Sequence, residues 1–238
     1  MRLRAFQALI ARELRHYFLT PIAYVVCAAF WAASGFFFSF NALFVSAVDM
    51  VTAFHNMSLL LLLLMPLLSM RTLAEERHND TLELLLTLPL GDGVVVMAKY
   101  AALLVMVLLM LAGSALAVIP LALYASPDYG PIIGGYAGLF LLASAFGALG
   151  VLASALAANQ VVAAVLTWLT LLMLWFIDYA AALDLGVEAV RWLQHLSFSV
   201  QYLDVIRGVL TLGAVVYFTT LSACALVAAT QVLALRRV

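Results

Sequence analysis

The sequence has 238 residues, of which 67% are hydrophobic and only 10% are charged, and its mean hydropathy is +1.16. Since an ordinary soluble domain carries about a quarter charged residues, this composition excludes a water-soluble fold and indicates an integral membrane protein. The formal net charge is -1 and charges of both signs are spread thinly, so we expect no nucleic-acid partner.

The first twenty residues have the pattern of a helix that lies along a membrane interface. Apolar side chains recur there at helical spacing: Leu3, Phe6, Ile10, Leu14 and Phe18. The arginines of this stretch fall mostly elsewhere on the helical wheel: Arg4, Arg12 and Arg15. We therefore predict an interfacial helix over 1–20, with a solvated basic leader as the alternative.

Six apolar segments are long enough to cross the roughly 30 Å hydrocarbon core of a bilayer as helices. They cover about 22–45, 51–70, 94–120, 132–158, 161–177 and 214–235. Pro21 precedes the first segment, Pro66 lies inside the second, and Asp178 follows the fifth. The sequence therefore predicts an all-α polytopic fold in which the whole chain, 1–238, forms one transmembrane domain in contact with the lipid bilayer.

Lysine and arginine are concentrated on one side of these six spans. Nine of the eleven fall on the side that carries both termini: Arg2, Arg4, Arg12, Arg15, Arg71, Arg77, Lys99, Arg236 and Arg237. Only Arg191 and Arg207 fall on the other side. Because loops rich in lysine and arginine stay cytoplasmic, we predict that both termini are cytoplasmic.

The connection between the second and third spans, over 71–93, has a helical pattern of its own. Asp80 and Glu83 have the spacing of a capping box, and Pro89 ends the pattern. Five leucines fall within it: Leu82, Leu84, Leu85, Leu86 and Leu88. So short a helix cannot bury this many leucines by itself, so they face the membrane, the rest of the chain or a partner.

The segment before the last span, over 178–213, mixes charged and apolar residues on the outer side. Two sets of residues fit short amphipathic helices: Val187, Val190, Arg191 and Gln194, and then Tyr202, Val205, Ile206 and Val209. We therefore predict a pair of helices at the outer interface. Arg207 is expected to pair with Asp204 or with lipid headgroups rather than with a transported substrate.

Small and polar residues within the spans are expected to serve helix packing. The fourth span carries a row of small residues that allows two backbones to approach closely: Gly134, Gly138, Ser144, Gly147, Gly150 and Ser154. Packing within the chain is favoured slightly over packing across a dimer. Four polar residues inside spans are likewise interpreted as packing residues: Ser34, Asn41, Ser114 and Thr167. The two cysteines, Cys27 and Cys224, are interpreted as small buried hydrophobes.

The residues that common catalytic sites require are missing from the sequence. Lys99 is the only lysine and follows Met97 and Ala98, so the chain lacks a glycine-rich phosphate loop. The four histidines have no metal-ligand spacing, and all twelve acids can lie in loops or near helix ends, which disfavours an ion-coupled transporter or a proton pump. We therefore expect no enzyme activity, no cofactor and no metal on this chain.

Three runs of sequence near the second span resemble a known family: Met-Pro-Leu-Leu-Ser-Met-Arg at 65–71, Glu-Glu-Arg at 75–77, and Thr-Leu-Glu-Leu-Leu-Leu-Thr-Leu-Pro at 81–89. Shorter supporting runs lie at 21–26 and 207–209. Together they are similar to the permease subunits of type-two ABC exporters, within the branch named for gliding-motility-associated permeases. The run His-Asn-Asp at 78–80 departs from this pattern, since relatives often have a basic residue and a glycine there.

The resemblance implies an elbow helix over 1–20, a cytoplasmic coupling helix within 71–93 and re-entrant outer helices before the last span. It also implies three partners in a bacterial inner membrane: a separate ABC-type ATPase subunit that carries ATP and magnesium, a second permease subunit in a homodimer or heterodimer, and the bilayer itself. On this basis we expect six residues to contact the ATPase subunit: Glu75, Glu76, Arg77, Leu82, Glu83 and Leu85.

The function implied by the resemblance is the coupling of ATP hydrolysis on the separate subunit to export of a substrate that the sequence does not identify. The alternative is a membrane anchor that passes ATP-driven motion to periplasmic or surface machinery without transport.

Overall fold

The computed structural model of the protein describes residues 2–44, 50–79, 81, 91–119, 129–181, 195–206 and 211–236. Within these ranges all assigned secondary structure is helical. The helices are α1 (Arg2–Leu19), α2 (Pro21–Phe44), α3 (Met50–Ser69), α4 (Ala74–His78), α5 (Asp92–Ala115), α6 (Tyr129–Leu156), α7 (Gln160–Ala181), α8 (Phe198–Ile206) and α9 (Leu212–Leu235).

Six stretches of these helices are long and apolar enough to cross a membrane, which confirms the predicted all-α polytopic membrane protein. They are Pro21–Phe40, Val51–His78, Asp92–Ala115, Tyr129–Leu156, Gln160–Tyr179 and Leu212–Leu235. The second stretch is longer than predicted because it combines α3 with the short α4. The remaining helices, α1 and α8, lie where the sequence predicts an interfacial helix and an outer helix.

The most buried helix is α6, which packs against α3, α5, α7, α8 and α9. Its glycines permit this packing, because an added Cβ would overlap the Phe54 ring at Gly135, Val205 at Gly138 and the Ser69 side chain at Gly150. The small residues of the fourth span therefore pack within the chain, as predicted.

Three of the polar residues also confirm their interpretation, since their buried hydroxyls donate to carbonyls of their own helices: Ser34, Ser114 and Thr167. The side chain of Asn41 lies outside the described part of the structure.

The outer faces of α2, α7 and α9 expose large apolar side chains, as expected where helices meet lipid. Examples are Tyr24, Val25, Phe36, Val161, Leu169, Met173, Val216 and Val227.

Cys27 is buried but Cys224 is exposed on α9, so the prediction of two buried cysteines is wrong for Cys224. The reason is that exposed positions of a spanning helix are as apolar as buried ones, so an apolar run does not show which positions are covered.

The segment before the last span differs from its prediction at one boundary. The fifth span was expected to end before Asp178, but α7 continues to Ala181. The Asp178 carboxylate has a partner within the protein, since Ser197 Oγ donates to it over 3.2 Å. The second predicted outer helix is confirmed as α8, in which Tyr202 is buried and donates to the Phe54 carbonyl over 3.3 Å. The other residues of these predictions lie outside the described ranges or have no described side chain: Val187, Val190, Arg191, Gln194, Asp204, Arg207 and Val209.

The contact between α3 and α6 can be tested at Gly150. Gly150→Ala is expected to lower stability by about 1–3 kcal/mol, because the added methyl group overlaps the short Ser69 side chain and forces the helices apart. Gly35→Ala in α2 is the matched control, since a Cβ there meets nothing within 4 Å. Thermal unfolding of the detergent-solubilised variants should give a lower midpoint for Gly150→Ala alone. Equal midpoints for the two variants would contradict the close approach.

Candidate functional site

Charged residues from four parts of the described chain gather at one end of the helix bundle, which we name the α4 end. It comprises α4, the facing part of α1, the start of α5 and the final residues of α6 and α9. The chain reaches α4 through a tight turn after α3, in which the Thr72 hydroxyl donates to the Ser69 carbonyl over 2.8 Å.

The start of α4 is capped by a side chain from a distant helix. The N-cap residue is Leu73, whose apolar side chain cannot accept a hydrogen bond from the helix start. Instead, Ser154 Oγ of α6 accepts from the backbone N–H groups of Leu73 and Ala74 over 3.0 and 2.9 Å. The same hydroxyl donates to the Met70 carbonyl over 3.1 Å. Ser154 therefore satisfies donors that a helix start leaves without partners.

The C-terminal end of α6 binds two arginines from different parts of the chain. Arg77 Nη1 of α4 donates to the Ala157 carbonyl over 2.8 Å, and Arg236 Nη2 donates to the Leu156 carbonyl over 3.0 Å. Cations are favourable at this end of a helix, where the carbonyl groups carry partial negative charge. These contacts place α4 and the end of α9 beside each other.

A buried lysine joins α1, α4 and α5. Lys99 Nζ lies 3.0 Å from Glu13 Oε1 and 3.1 Å from Glu76 Oε1. Lys99 is only 1% exposed and Glu13 only 7%. Since a buried charge is costly unless it is paired, each of these groups depends on the others.

Further ion pairs attach α4 to α1 and to the turn before it. Arg71 Nε lies 2.9 Å from Glu75 Oε2, His16 Nε2 lies 3.3 Å from the same oxygen, and Arg12 Nη2 lies 3.6 Å from Glu76 Oε1. We name the whole set the ion cluster: Arg12, Glu13, His16, Arg71, Glu75, Glu76 and Lys99. Its three arginine and lysine charges balance its three carboxylates, and a protonated His16 would add one positive charge.

The bundle covers a face of α1 that lies beside its predicted apolar face. Leu9, Glu13 and Tyr17 are buried. Of the predicted apolar residues, Phe6, Ile10 and Leu14 are partly buried against the core and Phe18 is 43% exposed. The pair with Lys99 allows a glutamate to occupy the buried face. Tyr17 also donates to the Leu68 carbonyl of α3 over 3.1 Å. Burial, with Glu13 nearby, raises the pKa of the Tyr17 hydroxyl, which therefore remains a donor.

A cleft of about 640 Å³ opens between α1 and α4 beside the ion cluster. The six residues that the sequence predicts to contact the ATPase subunit differ in where they lie relative to this cleft. Glu75 and Glu76 point into the ion cluster with most of their side chains covered, and Arg77 is exposed. The other three predicted residues, Leu82, Glu83 and Leu85, lie outside the described ranges. Among the described residues, no group of three or more His, Cys, Asp or Glu side chains could hold a metal ion.

Three residues of the site were not identified from the sequence: Glu13, Lys99 and Ser154. A signal existed for Lys99, since a lone lysine beside an apolar span requires a buried or interfacial partner. A weaker signal existed for Glu13, which lies four residues from both Leu9 and Tyr17 and so shares their helix face. Nothing in the local sequence distinguishes Ser154 from the other small residues of α6.

The fold and this end of it define a class: a polytopic all-α membrane protein with a short charged helix held between its second and third spans. Residues 14–167 match the family model described as ABC-2 family transporter protein. Because the match covers more than half of the chain, the protein belongs to the ABC-2 transporter family. The matched range includes α4, Lys99 and Ser154, and membership of the family implies partnership with an ABC ATPase subunit. Comparison with curated proteins gave no match.

The cap on α4 can be tested at Ser154. Ser154→Ala leaves the N–H groups of Leu73 and Ala74 without their acceptor, which typically costs about 1 kcal/mol. We expect amide exchange in α4 to become roughly fivefold faster, with little change in the spans. Ser34→Ala is the control, because Ser34 is equally buried and its hydroxyl donates to the Trp31 carbonyl of its own helix. Unchanged exchange at residues 74–78 in Ser154→Ala would show that α4 does not depend on this cap.

Proposed function

We propose that this protein is the permease subunit of an ABC exporter and that its ATPase subunit docks at the α4 end. The observation that carries the proposal is the attachment of α4. This helix of five residues is fixed to α6 by Ser154 and Arg77, and to α1 and α5 by the ion cluster. A helix held from several sides can transmit a force applied to it, whereas a loosely attached one would yield. Membership of the ABC-2 family supports the same function.

We further propose that the α4 end is cytoplasmic and that the membrane is a bacterial inner membrane. Basic residues from four parts of the chain support this orientation, because they meet at the α4 end: Arg12, Arg71, Arg77, Lys99 and Arg236. A separate ATPase subunit in the cytoplasm would then face α4 directly.

In the proposed docking surface, Glu75, Glu76, Arg77, Leu82, Glu83 and Leu85 form the contact with the ATPase subunit. The covered carboxylates of Glu75 and Glu76 hold the surface in place through the ion cluster, and only their outer edges face the partner. Arg77 is exposed beside them. The leucines supply the apolar area that a short charged helix lacks, since the centre of a protein interface is depleted in charge.

The proposed mechanism is a conversion of ATP-driven closure into movement of the bundle. ATP and magnesium bind to the ATPase subunit, and closure of two such subunits displaces α4 in each of two permease chains. Since α4 is attached to α1, α5 and α6, these helices follow it as a rigid body. The resemblance of the 65–89 region supports a place within the gliding-motility-associated branch.

Docking can be tested with two substitutions in the leucine-rich segment. Glu83→Lys reverses a charge and Leu85→Asp places a carboxylate in an apolar contact, so each should abolish co-purification of the ATPase subunit. Membrane insertion should be unchanged, because both residues lie outside the predicted spans. Leu196→Asp is the control, since Leu196 is an exposed leucine at the opposite end of the bundle. Normal co-purification with both variants would reject the proposed surface.

Transport itself can be tested with vesicles that contain the permease and its ATPase subunit. Movement of candidate substrates that requires ATP supports an exporter. ATP hydrolysis that depends on the permease, without movement of any substrate tested, supports the membrane anchor instead. An ATPase-deficient partner provides the baseline for both measurements.

A further inference from the structure

The ammonium group of Lys99 pairs with carboxylates from two other helices, so that three separate parts of the chain meet at one buried charge. Its ammonium group lies 3.0 Å from Glu13 Oε1 in α1 and 3.1 Å from Glu76 Oε1 in α4, while Lys99 itself belongs to α5. Val95 and Leu103, one turn away on either side along α5, are buried, while the ammonium group faces the cleft and the other charges of the ion cluster. No other pair in the ion cluster has both partners as deeply buried.

The other links between α1 and α4 are exposed to solvent. The side chain of Arg12, which approaches Glu76, is 58% exposed, and that of His16, which approaches Glu75, is 50% exposed. Ion pairs in such positions add little, because water and salt screen them. Apart from the packing of Leu9 and Tyr17 against the bundle, the pairs of Lys99 are therefore the main link between α1 and α4.

Displacement of α1 relative to α4 would leave a buried charge without its partner. Such a loss is far more costly than the breaking of a surface pair. The arrangement of lowest energy is therefore one in which Glu13, Glu76 and Lys99 stay together. Stability alone does not require these charges, because well-packed apolar residues often stabilise a protein as much as a buried ion pair or more. What the charges add is one defined arrangement of the three helices.

We propose that Lys99 is a positioning residue that fastens α1 to α4 and α5, so that displacement of α4 carries α1 with it. The source of that displacement rests on the proposed function, namely the ATPase subunit that docks at α4. The link between α1 and α4 through Lys99 lies within this chain and does not depend on the ATPase subunit. By this account α1 takes part in each cycle of movement instead of lying passively along the interface.

The fastening can be measured by the distance between spin labels on α1 and α4. Cysteines at the exposed positions Gln7 and His78 report this distance, and a pair at His78 and Val161 reports the distance from α4 to α7. Both pairs are introduced after Cys27 and Cys224 have been replaced by alanine. In the parent permease we expect a narrow distribution for both pairs, which remains unchanged when ATP is added to the complex with the ATPase subunit.

The critical variant is Glu13→Gln/Lys99→Met/Glu76→Gln, which removes all three charges and leaves none buried alone. We expect its α1–α4 distribution to broaden in the permease alone and to shift when ATP is added to the complex. The α4–α7 distribution should remain narrow, because Ser154 and Arg77 still hold α4 to α6. An unchanged narrow α1–α4 distribution in this variant, or an ATP-dependent change of the same distance in the parent, would overturn the inference.

Two further variants separate charge pairing from general damage. Arg12→Gln removes the exposed partner of Glu76 and should behave like the parent. Glu13→Lys/Lys99→Glu/Glu76→Lys inverts all three charges, so that a central carboxylate again lies between two groups of opposite charge, and should restore the narrow α1–α4 distance. Broadening in both would assign the effect to packing and overturn the role of the charges. If the ATPase subunit does not bind the parent, the proposed function fails, while the distributions in the permease alone still decide whether Lys99 fastens α1.

Discussion

The position of α4 and the capping of its first turn depend on the close approach of α6 to α3. Gly150 of α6 lies against Ser69 at the last residue of α3, where a larger residue would hold the two helices apart. One helical turn further along α6, Ser154 then reaches the backbone of the turn that follows α3. Without that approach the first N–H groups of α4 would lack the Ser154 acceptor, and α4 would be held only by Arg77 and the ion cluster.

Aromatic side chains connect the spans in a similar way, through hydrogen bonds to the backbone of another helix. Trp31 of α2 donates to the Met110 carbonyl of α5 over 2.9 Å, and Tyr100 of α5 donates to the Ser144 carbonyl of α6 over 3.1 Å. Within a bilayer, an N–H or O–H group finds few other partners, which favours such bonds between helices. They combine a large apolar contact with one directional bond, and so determine how neighbouring helices are rotated.

Hydropathy and helical spacing predicted the six spans and the helices α1 and α8, because length, apolar runs and periodicity are local properties of the sequence. The ion cluster could not be predicted in the same way. Lys99 is buried as a charge only because it pairs with Glu13 and Glu76, and these partners lie 86 and 23 positions away in the chain. The same limit applies to the exposure of Cys224 and to Asp178, whose hydrogen-bond donor Ser197 lies 19 positions further along the chain.

The cap on α4 also links this helix to the order of synthesis. A helix of five residues is not stable by itself in water, and the hydroxyl that caps it arrives 80 residues later in the chain. The helix can therefore form only after α6 has been inserted and packed against α3. A protein that binds folded α4 thus distinguishes chains in which α6 has packed from shorter nascent ones, and assembly of a complex at this surface is delayed until α6 is in place.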